Sequence, residues 1–399
     1  MTYKPFEPAP LTAFGDSRIA ELSPIIQQSF EYTVDNAKLS SKTEVNGGTV
    51  TQANAMAVVG TSTTTASKAT YSSKHHAKYH PGFGGLARFT AMFTTPVAVT
   101  EQFAGLADEV GSTAAFKNGY VVGYDGTTFG FHRFQNDALF TAPQSSWDDP
   151  LDGTGPSGMT LDTTKLNVFY IQMQYLGAGA VKLFVEDEAT GGIILVHTLD
   201  YVNQNTVPHI YQPTLKFIFH ADNKATANNL VVSTASLGYF VEGKTGLIEL
   251  HQPLASSGEQ LKGGITAERA VCTIRNKTTY ATRANFIDAL ILGFYGSSEA
   301  GTSNNLAYVR LVKNATLGGT PVYNDINTTD SIIEIDVAGT TVTGGEEIHS
   351  IPLGGRNGTG REDLSNWGVI LNPGDTITVA GESRGNADIA GGITWKELF

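Results

Sequence analysis

Between Leu166 and Leu199 apolar and polar residues alternate with a period of two, as in strands that bury one face and wet the other. Phe169, Ile171, Met173 and Tyr175 take one face, and Tyr170, Gln172 and Gln174 the other. Gly177-Ala178-Gly179 supplies a turn. Val181, Leu183 and Val185 then repeat the alternation against Lys182 and Glu186, and Thr190-Gly191-Gly192 leads into Ile193–Leu199. Three antiparallel strands of a sandwich or barrel are predicted.

The same pattern predicts strands at Ala87–Phe93, Glu101–Ala107, Gly119–Tyr124, Thr127–Phe134, Thr214–His220 and Leu230–Val241, so residues 81–245 read as one β-sandwich. Asp125-Gly126 predicts a two-residue type I′ hairpin, since glycine tolerates the positive φ such a turn needs. Residues 135–161 form one long loop. Residues 246–399 read as a second β-sandwich, with strands at Leu306–Val312 and Ser331–Val337. There Asn372-Pro373-Gly374-Asp375 puts Pro and Gly where a type II turn requires them. Ile393-Thr394-Trp395 is a last short strand. No helix longer than two turns is predicted. Residues 1–80 differ, with four prolines by Pro24 and a polar tract over 45–73. They read as an extended docking arm that orders against neighbouring subunits. The fold class is therefore all-β: an N-terminal arm followed by two β-sandwiches.

Composition narrows the function. Charged residues are 16% of the 399 and glycines number 44, which suits tight turns and uncharged contact surfaces. The net charge of −12 disfavours a nucleic-acid partner, because tracking a phosphate backbone needs a basic face. The nearest approach to one is the scattered set Lys74, Lys78 and Arg88. Cys272 is the single cysteine, so an intrachain disulfide is excluded and a buried apolar thiol is expected. The N-terminal residues lack the basic-then-apolar pattern of a signal peptide. The longest apolar run, Ala289–Tyr295, is too short for a membrane helix, and no membrane insertion is expected.

Four constellations could carry chemistry. Phe14-Gly15-Asp16-Ser17 resembles the nucleophile block of one esterase family, but no histidine follows an aspartate at the Asp-x-x-His spacing. Glu186 and Glu188 share a strand-end face, as the paired carboxylates of jelly-roll glycosidases do; they run straight into Ala189-Thr190-Gly191-Gly192, which reads as an acidic hairpin tip. His75, His76 and His80 read as neighbours in a polar linker rather than as metal ligands. The candidate ligand site is Trp147 with Asp148, Asp149 and Asp152, hard oxygen donors beside a flat ring that could stack on a sugar. A stacking platform must be exposed, so the exposure of Trp147 decides that reading. No catalytic residue, metal or cofactor is assigned, and the protein is not expected to be an enzyme.

Several stretches resemble a group of virion-associated proteins of tailed bacteriophages and large DNA viruses. They are Leu11-Thr12-Ala13-Phe14-Gly15-Asp16 with Glu21-Leu22-Ser23-Pro24, Gly47-Gly48-Thr49-Val50, and Arg88-Phe89-Thr90-Ala91-Met92-Phe93. Gly123-Tyr124-Asp125-Gly126-Thr127-Thr128-Phe129-Gly130, Ile171-Gln172-Met173-Gln174-Tyr175-Leu176-Gly177 and Leu371-Asn372-Pro373-Gly374-Asp375-Thr376 continue the set. The resemblance implies a concanavalin-like jelly roll at residues 81–245. It also implies a structural role as capsid decoration, spike or tail fibre, with no catalytic residue to carry over. The expected protein is a homo-oligomer, a trimer by analogy with fibres and spikes, assembled in the host cytoplasm and located in the virion. Its partners would be other capsid or tail proteins. The alternative function is a carbohydrate-binding module that recognises host-surface glycan through the Trp147 loop, and a remoter one is a glycan-cleaving enzyme.

Overall fold

The computed structural model describes residues 21–34, 39–108, 110–111, 115–243, 253–300, 306–354 and 357–399. The chain divides into two compact units, Met1–Leu247 and Ile248–Phe399. Among the described residues regular structure is all β apart from one turn of 3₁₀ helix, Gln144–Ser146.

The first unit is a sandwich of sixteen strands. They are β1 Leu22–Ser29, β2 Ser40–Val45, β3 Thr49–Ala53, β4 Met56–Gly60, β5 Lys68–Ser73, β6 Gly84–Phe93, β7 Glu101–Ala107 and β8 Gly119–Asp125. There follow β9 Thr128–Gln135, β10 Ala138–Pro143, β11 Asn167–Met173, β12 Val181–Glu186, β13 Ile193–Leu199, β14 Lys216–Asp222, β15 Val231–Thr234 and β16 Ser236–Glu242. One sheet runs β13-β12-β11-β6, then continues through β15, β4 and β3 at one end of β6 and through β16 and β1 at the other. The second runs β10-β9-β8-β7-β14-β5-β2. Every pairing is antiparallel, and the two-sheet closure covers apolar faces in the manner of a jelly roll. Alternate residues of both sheets meet in an aromatic core: Phe89 stacks on Phe169 and meets Phe217 and Phe219 edge-on. Each fully buried side chain of this kind contributes about 1.5–3 kcal/mol.

Three sequence expectations change. The extended arm expected over residues 1–80 is not what its described part forms; residues 1–20 lie outside the described ones. From Leu22 onward the chain supplies β1–β5, with β1 paired to β16 and β5 to β14. Ile26, Phe30, Val50, Val59 and Tyr71 enter the core, so this polar-looking segment holds enough apolar positions at period two to be integral. The run Leu230–Val241 is two strands rather than one, because Ala235 breaks the ladder between β15 and β16. The Asp125-Gly126 turn is displaced by one residue. Asp125 pairs with Thr128, Gly126 takes φ +58°, and Thr127 stays out of the left-handed region, so the type I′ form is not made.

The second unit packs two sheets around a largely aliphatic core that includes Ile291, Val309, Leu311, Val379 and Ile393, with Trp395 fully buried. Its longest strands are Asp288–Ala300 and Ala387–Leu398, which pair along their whole lengths. The closing strand is thus twelve residues long rather than three. The Asn372–Asp375 turn forms as expected: Gly374 takes φ +90° and the Asp375 N–H donates to Asn372 O at 2.9 Å. Cys272 is buried in this core, and burial pushes its thiol up to about 12.

Candidate functional site

Trp147 is only 5% exposed. Its indole N–H donates to Ala142 O at 2.9 Å and its ring packs on Phe129, 5.9 Å between centroids. The sugar platform expected at this ring is therefore absent, because five residues on from Ala142 the loop folds back over the end of β9 and buries the ring. The three acids serve separate ends. Asp149 is buried and accepts the N–H groups of Leu151 and Ser157, fixing the loop. Exposed Asp152 caps its own turn through the Thr154 hydroxyl and N–H at 2.6 and 2.9 Å, which hold its carboxyl below the usual range. Asp148 stands 3.6 Å from His197 of β13. Asp152 does border an open crevice of about 470 Å³ with Tyr124, Thr127 and Gln144, but Trp147 does not line it.

The remaining sequence candidates also separate. Glu186 ends β12 and accepts the Tyr170 hydroxyl at 3.3 Å, whereas Glu188 is exposed in the following turn. Asp187 between them closes that turn on Thr190 and Ala189. Gly15, Asp16 and Ser17 lie outside the described residues. His76 and His80 are buried without sharing a ligand cluster; burial and the Lys78 charge push His80 down to about 4. Among the described residues the one group of three potential metal ligands is Glu101, His220 and Asp222, which sequence spacing could not reveal because β7 and β14 are 119 residues apart at Glu101 and His220.

A different feature stands out on the outer face of the sheet that contains β6. Register places Gln27 of β1, Gly238 of β16, Arg88 of β6, Tyr170 of β11 and Phe184 of β12 in one row across five strands. Gly238 supplies no side chain opposite Arg88, and the gap opens a cleft of about 500 Å³ lined by Gln27, Arg88, Thr90, Val168 and Phe240. The Arg88 guanidinium carbon lies 5.1 Å from the Phe240 ring centre and 5.8 Å from that of Tyr170. Contacts of this kind hold a guanidinium in place without neutralising it. Arg88 Nε is buried with no hydrogen-bond partner, and among the described residues the group forms no ion pair. The carboxylates nearby in the row pattern are engaged elsewhere, Glu186 by Tyr170 and Glu242 by Gln172 Nε2 at 2.5 Å. Desolvation, then the Glu186 charge, hold the Tyr170 hydroxyl above its ordinary range, so it stays protonated and remains a donor. The result is a planar fork of donors at the mouth of a half-aromatic cleft, a geometry suited to carboxylate, sulfate or phosphate oxygens.

No family model and no curated protein matches the chain. Among solved structures it is similar to the lectin UEA-II complexed with galactose, at 10% identity and TM-score 0.36, over 55% of this chain and 100% of that one. It is similar also to a winged bean acidic lectin complexed with methyl-α-D-galactose, at 9% identity and TM-score 0.37, over 54% and 98%. A third is a pseudo β-1,3-glucanase and immunostimulatory antigen of Mycobacterium tuberculosis, at 9% identity and TM-score 0.37, over 55% and 98%. Nothing about this chain's ligand follows from likenesses at that level. The fold defines a two-unit β-sandwich protein.

Proposed function

We propose that the protein is a non-catalytic recognition protein whose first unit binds carbohydrate, and that the ligand carries a carboxylate held by Arg88. The observation that carries this reading is an arginine fixed between two aromatic rings in an open cleft, with no acidic partner among the described residues. A sugar ring offers apolar faces to Phe240 and hydroxyls to Gln27 and Thr90, while its acid group meets the guanidinium. The test is equilibrium binding of uronate-containing oligosaccharides beside their carboxyl-reduced counterparts. The acidic form should bind at least tenfold tighter, and Arg88→Ala should remove that preference. Arg88→Lys should lose most of it as well, because an ammonium lacks the planar fork. Absence of binding to both forms would sink the reading. Incubation with the same sugars should release no reducing ends, since Glu186 is engaged by Tyr170 and Glu188 is exposed in the following turn.

A second reading, compatible with the first, is a subunit of a homo-oligomeric virion appendage. What favours it, beside the sequence resemblance, is apolar exposure at a sheet edge: Ile193 and Leu195 on β13 are 57% and 42% exposed, and β13 pairs on one side only. Light scattering on the purified protein and immunogold labelling of virus particles test it; a monomer that labels no particle would argue against it.

A further inference from the structure

The outer face of the other sheet carries a cluster that glycan binding does not use. Glu101 of β7 stands in register between Asp125 of β8 and Asp222 of β14, and His220 lies two residues before Asp222 on the same face. We propose that Glu101, His220 and Asp222 form a binding site for a divalent transition-metal cation of the zinc or manganese type.

The geometry is that of ligands awaiting a shared centre. One donor atom from each of the three lies within 4.8 Å of the others. His220 is 2% exposed, and its Nε2, buried with no hydrogen-bond partner, faces Glu101 Oε2 at 3.7 Å, too far for a hydrogen bond; that oxygen meets the Lys224 ammonium at 2.8 Å. Two ligands each about 2.1 Å from a tetrahedral ion stand about 3.4 Å apart, so a small inward movement suffices. The ring is already aimed. Its Nδ1 meets the Thr70 hydroxyl at 2.8 Å, and Phe103 stacks on it at an interplanar angle of 10°. A second partner on the far nitrogen is how metal-bound imidazoles are commonly held. Asp222 is likewise fixed, with Oδ1 accepting the Lys224 N–H at 2.7 Å and Oδ2 left toward the cluster.

The alternative to a metal is the ammonium of Lys224, 2.8 Å from Glu101 Oε2 and 3.6 Å from Asp222 Oδ2. It satisfies the carboxylates but leaves the imidazole Nε2 without a hydrogen bond, and that nitrogen is the atom a metal would take. The Lys224 side chain is 34% exposed and can withdraw into water when an ion enters. Lys68 faces Asp222 in register from β5 and makes no ion pair with it. One imidazole with carboxylates favours zinc or manganese over calcium, which prefers six to eight oxygens.

The test is isothermal titration of the chelator-treated full chain with zinc, manganese and calcium chlorides, each variant first checked for folding by circular dichroism. Zinc or manganese should bind with one equivalent per chain, and calcium at least tenfold more weakly. Lys224→Met, which removes the competing cation, should tighten binding about tenfold, whereas Glu101→Gln should weaken it at least tenfold while keeping the side chain's shape. Should Lys224→Met leave affinity unchanged or lower it, or Glu101→Gln bind as the parent does, the cluster is an ordinary ion pair and the proposal falls. Should no transition metal bind to either the parent or Lys224→Met, it falls also.

Discussion

The two units treat arginine in opposite ways. In the second, Arg310 is held by Glu268 and by Glu347, and Arg275 lies flat on Tyr323, 3.9 Å from its centre, while pairing with Glu334 at 2.7 Å. Their charge is spent inside the fold, and the carboxylates of Glu268 and Glu347 hold the Arg310 guanidinium further above its ordinary range. In the first, Arg88 has rings on two sides and no acid among the described residues. The cores differ in parallel: Phe and Tyr between the first unit's sheets, Ile, Val and Leu between the second's. Paired charge over an aliphatic core marks a scaffold. Unpaired charge over a cleft marks a surface that keeps its electrostatics for something else.

The largest test of this contrast is in the core. Phe169→Ala should cost the first unit about 3–5 kcal/mol and leave the second unchanged, as read by hydrogen exchange resolved by unit. Next comes acid. Burial pushes His132 and His209, both in the first unit, down to about 4, below the ordinary 6.5, so both are neutral when folded near pH 7. The unfolded chain takes up protons first as pH falls. The stability they contribute is therefore full above about pH 6.5 and lost on the way to pH 4, a loss of up to about 3 kcal/mol for each group. Urea melts at pH 7 and 5 should show the first unit weakening and the second nearly constant; equal weakening of both would erase the distinction. Smallest is the arginine pair itself. Arg310→Ala should cost about 1 kcal/mol through its bridges, and Arg88→Ala less than about 0.5 kcal/mol, its effect appearing in binding. If Arg88→Ala proved the more destabilising, its charge would be structural after all.

Period two was legible directly: β7 and β13 have the predicted bounds, and β11 covers Asn167–Met173, stopping short of Tyr175, the last residue of the alternation. The strands missed include β5, Lys68–Ser73, an inner strand hidden in a tract rich in Ser and Thr, and several at sheet edges. β2 and β3 end their sheets and are polar on nearly every position, so Ser40–Val45 reads as linker. β10, Ala138–Pro143, is an edge strand with no buried residue, hidden inside what read as one long loop. The sites failed differently. Trp147 and its aspartates drew attention because they are neighbours in sequence, yet local crowding there serves to close a loop. Arg88 owes its setting to Tyr170 and Gly238, 82 and 150 residues away, and only strand register brings them together. Period two tells which face a residue takes; it does not tell who stands opposite.

Pairing of β1 with β16 has a consequence beyond covering an edge. The Gly243 N–H donates to Glu21 O at 2.8 Å and the Ser23 hydroxyl donates to Gly243 O at 2.7 Å, so the first and last described residues of the first unit meet. Topologically the described strands of the unit form a ring with a seam. A circular permutant that joins Gly243 to Glu21 and reopens at the exposed Gly191 turn should keep every strand partner. Mechanically the same seam is the soft spot: a pull on the two ends loads the β1–β16 ladder one bond at a time, like a zip rather than a rivet.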